Sequence, residues 1–209
     1  PERVPQRHLL LMRIVLASSS PSRRMILQNA GVDPVIQPAD VDEDALLAAT
    51  DGSPEEAVAT LARAKARAVA SQFHDDVVIG GDSMLLIDGR LQGKPHTPEA
   101  TVARWHEQAG KVAHLLTGHC ILHRGQEFVE TSTTTVHFAQ ASDADIAAYA
   151  ASGEPWQCAG AFTLEALGGW FIDRIEGDPS SVIGLSLPVV RRALYGFGLD
   201  ASDFWNAEK

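Results

Sequence analysis

The stretch "VVIGGDSMLLIDGRL", residues 77–91, predicts the centre of the fold. Apolar residues flank "GGDS", and Asp88-Gly89 is a dipeptide typical of tight turns, so the stretch is predicted to form a β-hairpin. Its first strand carries Asp82 within "GGDS", which has a hydrophobic run on either side. A carboxylate is costly to bury without a cation or hydrogen bonds. Asp82 is therefore a candidate catalytic residue, and the alternative interpretation is a turn aspartate at a strand end.

Upstream of the hairpin, strand patterns alternate with helix signals. Residues 13–17 are predicted to form a buried strand, and the helix after it has Ser20 as its N-cap and Gly31 as its C-terminal stop. A capping box at residues 53–56 predicts a longer helix that runs to about Phe73. At the first strand-to-helix junction, serine hydroxyls, backbone N–H groups and arginine side chains meet, which is a favourable arrangement for holding phosphate.

Downstream of the hairpin, the same kinds of signal continue. The predicted elements are a helix over 98–109, two antiparallel strands within 111–139, a helix over 142–151, a glycine-rich loop within 152–175 and a helix over 187–197. Helices thus alternate with mostly antiparallel strands, which predicts an α/β fold with a mixed, largely antiparallel central sheet and flanking helices. Residues 1–12 are predicted to be an N-terminal extension and residues 13–209 a single domain.

Composition and charge disfavour several classes of protein. Of the 209 residues, 45% are hydrophobic and 21% charged, values ordinary for a globular protein and wrong for a disordered chain. No apolar run approaches the roughly 18 residues of a membrane-spanning helix, so a soluble protein is expected. The formal charge of −10 repels polyphosphate backbones and disfavours a nucleic-acid partner. Two cysteines without a C-x-x-C pair favour a reducing cytoplasm.

Two further groups of residues are candidates for binding a metal or phosphate. Asp40, Asp42, Glu43 and Asp44 form an acidic cluster after a predicted strand. Such a cluster suits Mg²⁺, which takes one or two carboxylates together with substrate phosphates. Lys94, between a glycine and a proline, is a fixed cation suited to phosphate. The alternative interpretations are a solvated acidic loop and an exposed turn lysine.

Eight segments of the chain, in this order, resemble the Maf family of nucleoside triphosphate pyrophosphatases, also called septum formation inhibitors. They are "LASSSPSRR" (16–24), "VDE" (41–43), "LARAKA" (61–66), "IGGDS" (79–83), "GKP" (93–95), "TGHC" (117–120), "CAGAFTLEALGG" (158–169) and "RIEGDPSSVIGLSLP" (174–188). One such segment is a weak signal, whereas eight in register over residues 13–194 are specific.

The resemblance implies an elongated domain similar to inosine triphosphate pyrophosphatases, with a cleft beside the central sheet. It also implies cleavage of a nucleoside triphosphate to the monophosphate and pyrophosphate, a divalent metal such as Mg²⁺ or Mn²⁺, and a homodimer. By the family's pattern, Asp82 is the proton acceptor, and Glu43 and Asp82 are metal ligands. The positions that match phosphate-binding residues of the cleft are Ser18, Arg23, Lys65 and Lys94.

Three positions are associated with base preference in the family, and here they are Ser22, Ser83 and Glu165. Branches that prefer dTTP and UTP have arginine, threonine and glutamine there, so this chain departs from them at every position. Cys158 and Glu165 resemble the branch that prefers 7-methyl-GTP, although Ser22 replaces its usual tryptophan. Because glutamate accepts two hydrogen bonds from guanine N1–H and the 2-amino group, the expectation is a lean towards guanine-type or modified nucleotides.

Two alternatives stay open at this stage. One is a pyrophosphatase that prefers dTTP or UTP. The other is a non-enzymatic regulator of septum formation that acts through protein contacts, as the family's second name suggests. Release of pyrophosphate from a panel of nucleotides distinguishes an enzyme from such a regulator.

Overall fold

The computed structural model describes residues 11–206, and the predicted N-terminal extension at residues 1–12 lies almost wholly outside that range. Within the described range, seven strands form one mixed sheet. They are β1 (Ile14–Leu16), β2 (Val35–Ile36), β3 (Val77–Ile87), β4 (Arg90–Gln92), β5 (Val112–His123), β6 (Gln126–Phe138) and β7 (Ile172–Glu176). Their order is β2-β1-β3-β5-β6-β7, with β4 paired to the end of β3. β1 is parallel to both its neighbours and the other pairs are antiparallel, which confirms the predicted mixed, largely antiparallel sheet.

Seven α-helices flank the sheet in residues 11–206. They are α1 (Pro21–Asn29), α2 (Glu43–Ala48), α3 (Pro54–Ala70), α4 (Pro98–Gln108), α5 (Asp143–Ala151), α6 (Pro179–Ile183) and α7 (Leu187–Gly196). Each begins after a Ser, Thr or Asp whose side chain accepts a backbone N–H of the first turn. None of these helices has the length and apolarity needed to cross a bilayer.

Two hairpin turns set the register of the sheet, and one of them is the turn predicted at Asp88-Gly89. Asp88 and Gly89 both have positive φ (49° and 74°), and so do Arg124 and Gly125 (46° and 79°). Two consecutive residues with positive φ make the turn whose twist matches that of antiparallel strands. The first turn joins β3 to β4 and the second joins β5 to β6.

Helices cover both faces of the sheet. Apolar residues of α1 and α7 pack with Ile79 on one face, and α3 packs with Val78 on the opposite face. The approach of α3 is close because β3 and β5 have glycines beneath it. A Cβ atom at Gly80 would lie 2.2 Å from the Ala62 carbonyl oxygen, and one at Gly118 would lie 2.4 Å from the Val58 backbone. The two glycines therefore let α3 bring its polar residues down to the sheet.

One edge of β3 is covered only at its two ends. β1 pairs with residues 77–79 of this edge, and β4 pairs with residues 85–87. Among residues 11–206, no strand pairs with residues 80–84 on this side, although β5 pairs with residues 78–86 on the other. The uncovered stretch is "GGDSM", which contains Asp82. The sheet is thus open at Asp82, the candidate catalytic carboxylate.

Three local features differ from the sequence-based expectation. The acidic cluster is not a loop throughout, because Asp42 caps α2 and Glu43 and Asp44 lie in its first turn. Negatively charged side chains at this end of a helix are stabilised by the helix dipole. The glycine-rich segment contains three 3₁₀ turns between residues 154 and 171, and its end forms β7. The short helix α6 was not expected at all.

Candidate active site

A cavity of about 440 Å³ lies beside the open edge of β3. Its lining includes residues of α1, α2, α3, β3, the segment after β4 and the segment with 3₁₀ turns at residues 154–171. Residues far apart in sequence therefore meet there. The structure brings eight of the nine predicted site residues to its wall: Ser22, Arg23, Glu43, Lys65, Asp82, Ser83, Lys94 and Glu165. The ninth, Ser18, is not part of the wall, and its Oγ accepts a hydrogen bond from Arg23 Nη1.

Lys65 joins two carboxylates at one end of the cavity. Its Nζ lies 2.8 Å from Asp82 Oδ1 and 2.9 Å from Glu43 Oε1. The side chains of Lys65 and Asp82 are only 13% and 11% exposed, whereas that of Glu43 is 51% exposed. Burial raises the pKa of Asp82 above its ordinary value, and the positive charges of Lys65 and Arg23 oppose that shift.

The Asp82 carboxylate has one bound oxygen and one free oxygen. Among residues 11–206, Oδ1 accepts from Lys65 and Oδ2 has no hydrogen-bond partner. Asp82 lies in the cavity wall and its side chain is 11% exposed, so the carboxylate is accessible from the cavity. A carboxylate held through one oxygen can accept a proton through the other.

Arg23 is fixed by three hydrogen bonds. Its Nε donates to the Gly184 carbonyl (2.7 Å), Nη1 to Ser18 Oγ (3.3 Å) and Nη2 to Ser83 Oγ (3.1 Å). The side chain passes between two glycines, since a Cβ atom at Gly81 would lie 3.3 Å from Nε and one at Gly184 would lie 3.4 Å from Cγ. Burial lowers the pKa of Arg23, yet a guanidinium stays charged at physiological pH.

The opposite end of the cavity is more exposed. Ser22 Oγ lies 3.5 Å from Glu165 Oε1, and Glu165 is exposed. Lys94 is also exposed, and its Nζ has no hydrogen-bond or ion-pair partner among the described residues. Cys158 lies in this part of the wall, where burial raises the pKa of its thiol to about 11. A thiol with that pKa stays protonated near neutral pH, so Cys158 is a weak nucleophile.

Glu154 organises the loop that carries Glu165, and sequence reasoning missed it. Its carboxylate accepts hydrogen bonds from Thr163 Oγ1 and from the backbone N–H groups of Leu167 and Gly168, the last two at 3.2 Å. These donors lie on either side of Glu165. No sequence pattern links Glu154 to residues nine to fourteen positions away, so the contact could be found only from the fold.

The residues at the Lys65 end fit a divalent metal in their chemistry. Glu43 and Asp82 supply carboxylate oxygens, the ligand type that Mg²⁺ and Mn²⁺ prefer, and both carboxylates lie next to each other around Lys65 Nζ. In the part of the chain that the structure describes, no group of three or more His, Cys, Asp or Glu side chains is placed to hold a metal. An ion at Glu43 and Asp82 would thus take its other ligands from substrate oxygens and water.

The fold and the cavity together define a class of protein: an α/β protein with a polar, cationic and carboxylate-lined cleft at an open strand edge. The chain matches the family model described as Maf-like protein over residues 13–197, and it belongs to that family. The predicted family is therefore confirmed.

Curated relatives cover almost all of the chain. A protein of Corynebacterium aurimucosum is 71% identical over 195 residues, which is 93% of this chain and 98% of the relative. A protein of Nocardia farcinica is 56% identical over 203 residues, 92% of this chain and 96% of the relative. Both are named nucleoside triphosphate pyrophosphatase. Among solved structures, the Staphylococcus aureus Ham1 protein matches 62% of this chain and 73% of its own, with 19% identity and a TM-score of 0.42.

Proposed function

We propose that this chain hydrolyses a nucleoside triphosphate to the nucleoside monophosphate and pyrophosphate. The curated relatives at 56% to 71% identity have the name of this activity, so the chain is an enzyme that acts on acid anhydrides. The observation that carries the proposal is the arrangement of Asp82, Lys65 and Arg23 around one cavity, with a free carboxylate oxygen and two fixed cations.

In the proposed reaction, Asp82 acts as the general base. Its free Oδ2 accepts a proton from the water whose oxygen attacks the α-phosphorus, and the bond from that phosphorus to the bridging oxygen of the pyrophosphate breaks. Burial supports this role, because a carboxylate with a raised pKa is a stronger base than an ordinary one. Lys65 keeps the carboxylate in place through Oδ1.

The cations bind the triphosphate and balance the charge that develops on the leaving pyrophosphate. Arg23 is held in advance of binding, and electrostatic stabilisation is strongest when the charged group needs no rearrangement. Lys94 is unpaired among the described residues and exposed, so it can move to meet a phosphate. Ser18 contributes by bonding Arg23.

A divalent metal at Glu43 and Asp82 is part of the proposal. When bound, it would supply positive charge at the phosphate oxygens, which is the usual function of Mg²⁺ in phosphoryl chemistry. Glu43 suits the role of an adjustable ligand, because its side chain is half-exposed and lies on the first turn of a short helix.

The proposed base preference is for guanine-type nucleotides, including 7-methyl-GTP, over dTTP and UTP. Glu165 supports it as an acceptor for the guanine N1–H and 2-amino group. Ser22 lies 3.5 Å from Glu165 and can orient its carboxylate. A homodimer and a cytoplasmic location are further expectations from the family resemblance.

The test is pyrophosphate release from GTP, 7-methyl-GTP, dTTP and UTP, each with Mg²⁺, with Mn²⁺ and with excess EDTA. We expect release from at least one nucleotide, a higher kcat/KM for guanine-type substrates, and loss of activity with EDTA. A tenfold preference for dTTP or UTP would contradict the base assignment, and an undiminished rate in EDTA would contradict the metal. No release from any nucleotide would leave the non-enzymatic regulator.

A further inference from the structure

A chain of hydrogen bonds runs from Arg23 into the protein core. Arg23 Nη2 donates to Ser83 Oγ at 3.1 Å, Ser83 Oγ lies 2.8 Å from Thr117 Oγ1, and Thr117 Oγ1 lies 2.9 Å from the Ser181 carbonyl oxygen. Thr117 and Ser181 are both completely buried, and neither contributes to the cavity wall. The chain thus connects the cavity to a part of the core that a nucleotide cannot reach.

The direction of each hydrogen bond in this chain is fixed by the acceptor at its end. The Ser181 carbonyl can only accept, so the single hydroxyl proton of Thr117 points to it. Thr117 Oγ1 then accepts the proton of Ser83, and Ser83 Oγ accepts from Arg23. Ser83 therefore has no proton left to donate to a nucleotide base.

The donor count of Arg23 shows what this arrangement leaves available. A guanidinium has five N–H donors, and three are taken, one on each nitrogen. Nη1 and Nη2 therefore each keep one N–H that can donate to a phosphate oxygen. The guanidinium is planar, and the bond to Ser83 is one of the three hydrogen bonds that set the direction in which these N–H groups point.

We propose that Thr117 and Ser83 are positioning residues that orient Arg23 towards phosphate. This role rests on the proposed pyrophosphatase function and differs from the base-selecting role that the family resemblance implies for Ser83. This role has a clear consequence. A substitution that breaks the series of hydrogen bonds from Arg23 to Ser181 weakens binding and turnover of every nucleotide alike. A base-selecting residue would instead change the ratio between nucleotides.

The experiment compares Thr117→Val, which keeps the shape and removes the hydroxyl, with Thr117→Ser, which keeps the hydroxyl. We expect Thr117→Val to lower kcat/KM by about 10- to 100-fold, because it would misalign a hydrogen bond between Arg23 and a charged phosphate, and Thr117→Ser to restore most of it. The loss is expected to agree within about threefold for GTP, 7-methyl-GTP, dTTP and UTP, the scatter of such measurements. Thermal unfolding of both variants establishes that they are folded.

Pyrophosphate is the second readout, because it contains no base. In Thr117→Val, its inhibition constant against the preferred nucleotide is expected to rise by about tenfold, as for the loss of one oriented contact to a charged group. A loss confined to some bases, or no loss with an unchanged inhibition constant, would overturn the proposal. If Thr117→Val does not fold, Ser83→Ala against Ser83→Thr gives the same comparison and the same two outcomes.

Failure of this inference is distinguishable from failure of the proposed function. If the wild-type protein releases no pyrophosphate from any nucleotide, the function is wrong. The dissociation constants of pyrophosphate for wild type and Thr117→Val, measured by calorimetry, then still test whether Thr117 orients Arg23 towards phosphate. If the wild type is active and the variants match it, the function stands and the inference is wrong.

Discussion

The two ends of the cavity differ in how firmly their side chains are held. The inner wall, defined by Arg23, Lys65 and Asp82, is largely buried, and each of its side chains has at least one polar partner within 3.3 Å. The outer wall, defined by Ser22, Lys94 and Glu165, is more exposed, and its shortest mutual contact is 3.5 Å. One end is organised before a ligand arrives, and the other can adjust to it.

This difference matches a division of work along a nucleotide. All nucleoside triphosphates share the phosphates, so the groups that bind them gain from being fixed in advance. The base varies, and an exposed glutamate can change partners at low cost. Substitutions in the inner wall should therefore affect all substrates strongly, while substitutions of Ser22 and Glu165 in the outer wall should change mainly the preference among them.

The largest effect is expected for Asp82→Asn. The amide keeps the shape and can bond its neighbours, but it cannot accept the proton of the attacking water, so kcat should fall by about 1000-fold, within the usual range for general-base removal. Pyrophosphate release measures this, and thermal unfolding should show a folded protein. Asp51→Asn, an exposed acid-to-amide change outside the cavity, is the control and should keep full activity. Retained turnover in Asp82→Asn would remove Asp82 from the mechanism.

The next effect concerns the support of the inner wall. His119 is completely buried between two backbone groups: Nε2 accepts from Ser186 N–H at 2.9 Å, which places the proton on Nδ1, 3.2 Å from the Glu130 carbonyl. Ser186 lies two residues after Gly184, whose carbonyl holds Arg23. Burial lowers the pKa of His119 from 6.5 to about 4. The neutral ring is thus part of the scaffold that places Arg23.

This pKa predicts a loss of stability in acid. The unfolded chain binds a proton near pH 6.5 and the folded one only near pH 4, so the contribution of His119 is complete above pH 6.5 and is lost as the pH falls towards 4. Between pH 7 and pH 4.5 the free energy of unfolding should fall by about 2 kcal/mol more in wild type than in His119→Gln. Urea unfolding at both pH values measures it. Equal pH dependence in the two proteins would contradict the assignment.

Much of the fold is predictable because its signals are local. Ser20, Ser53, Thr97 and Ser142 each cap a helix within three residues of themselves, and the two hairpin turns are dipeptides with positive φ. The glycine-rich segment resisted prediction because its structure depends on Glu154, which binds residues up to 14 positions away. Local pattern contains no information on such a contact.

The site shows the same limit. The residues of the inner wall could be named from their motifs, since "SRR", "AKA" and "GGDS" are each recognisable. The groups that hold these residues in place could not be named from the sequence. The Gly184 carbonyl is 161 positions from Arg23, and Thr117 is 34 positions from Ser83. The order of the sheet and the gap beside β3 bring these groups together, and both are properties of the whole fold.

The smallest expected effect belongs to the outer wall. Glu165→Gln replaces one acceptor oxygen by a donor amide, so guanine loses one of two parallel hydrogen bonds while uracil and thymine gain a partner. The ratio of kcat/KM for GTP to that for UTP should fall by about tenfold, the low end of the range for a bidentate contact, because Glu165 is exposed to water.

Glu99→Gln, an exposed change in the first turn of α4, is the control. Inhibition by pyrophosphate should be the same in all three proteins. An equal loss for every nucleotide would show that Glu165 acts on the phosphates, and the contrast between the two walls would then be wrong.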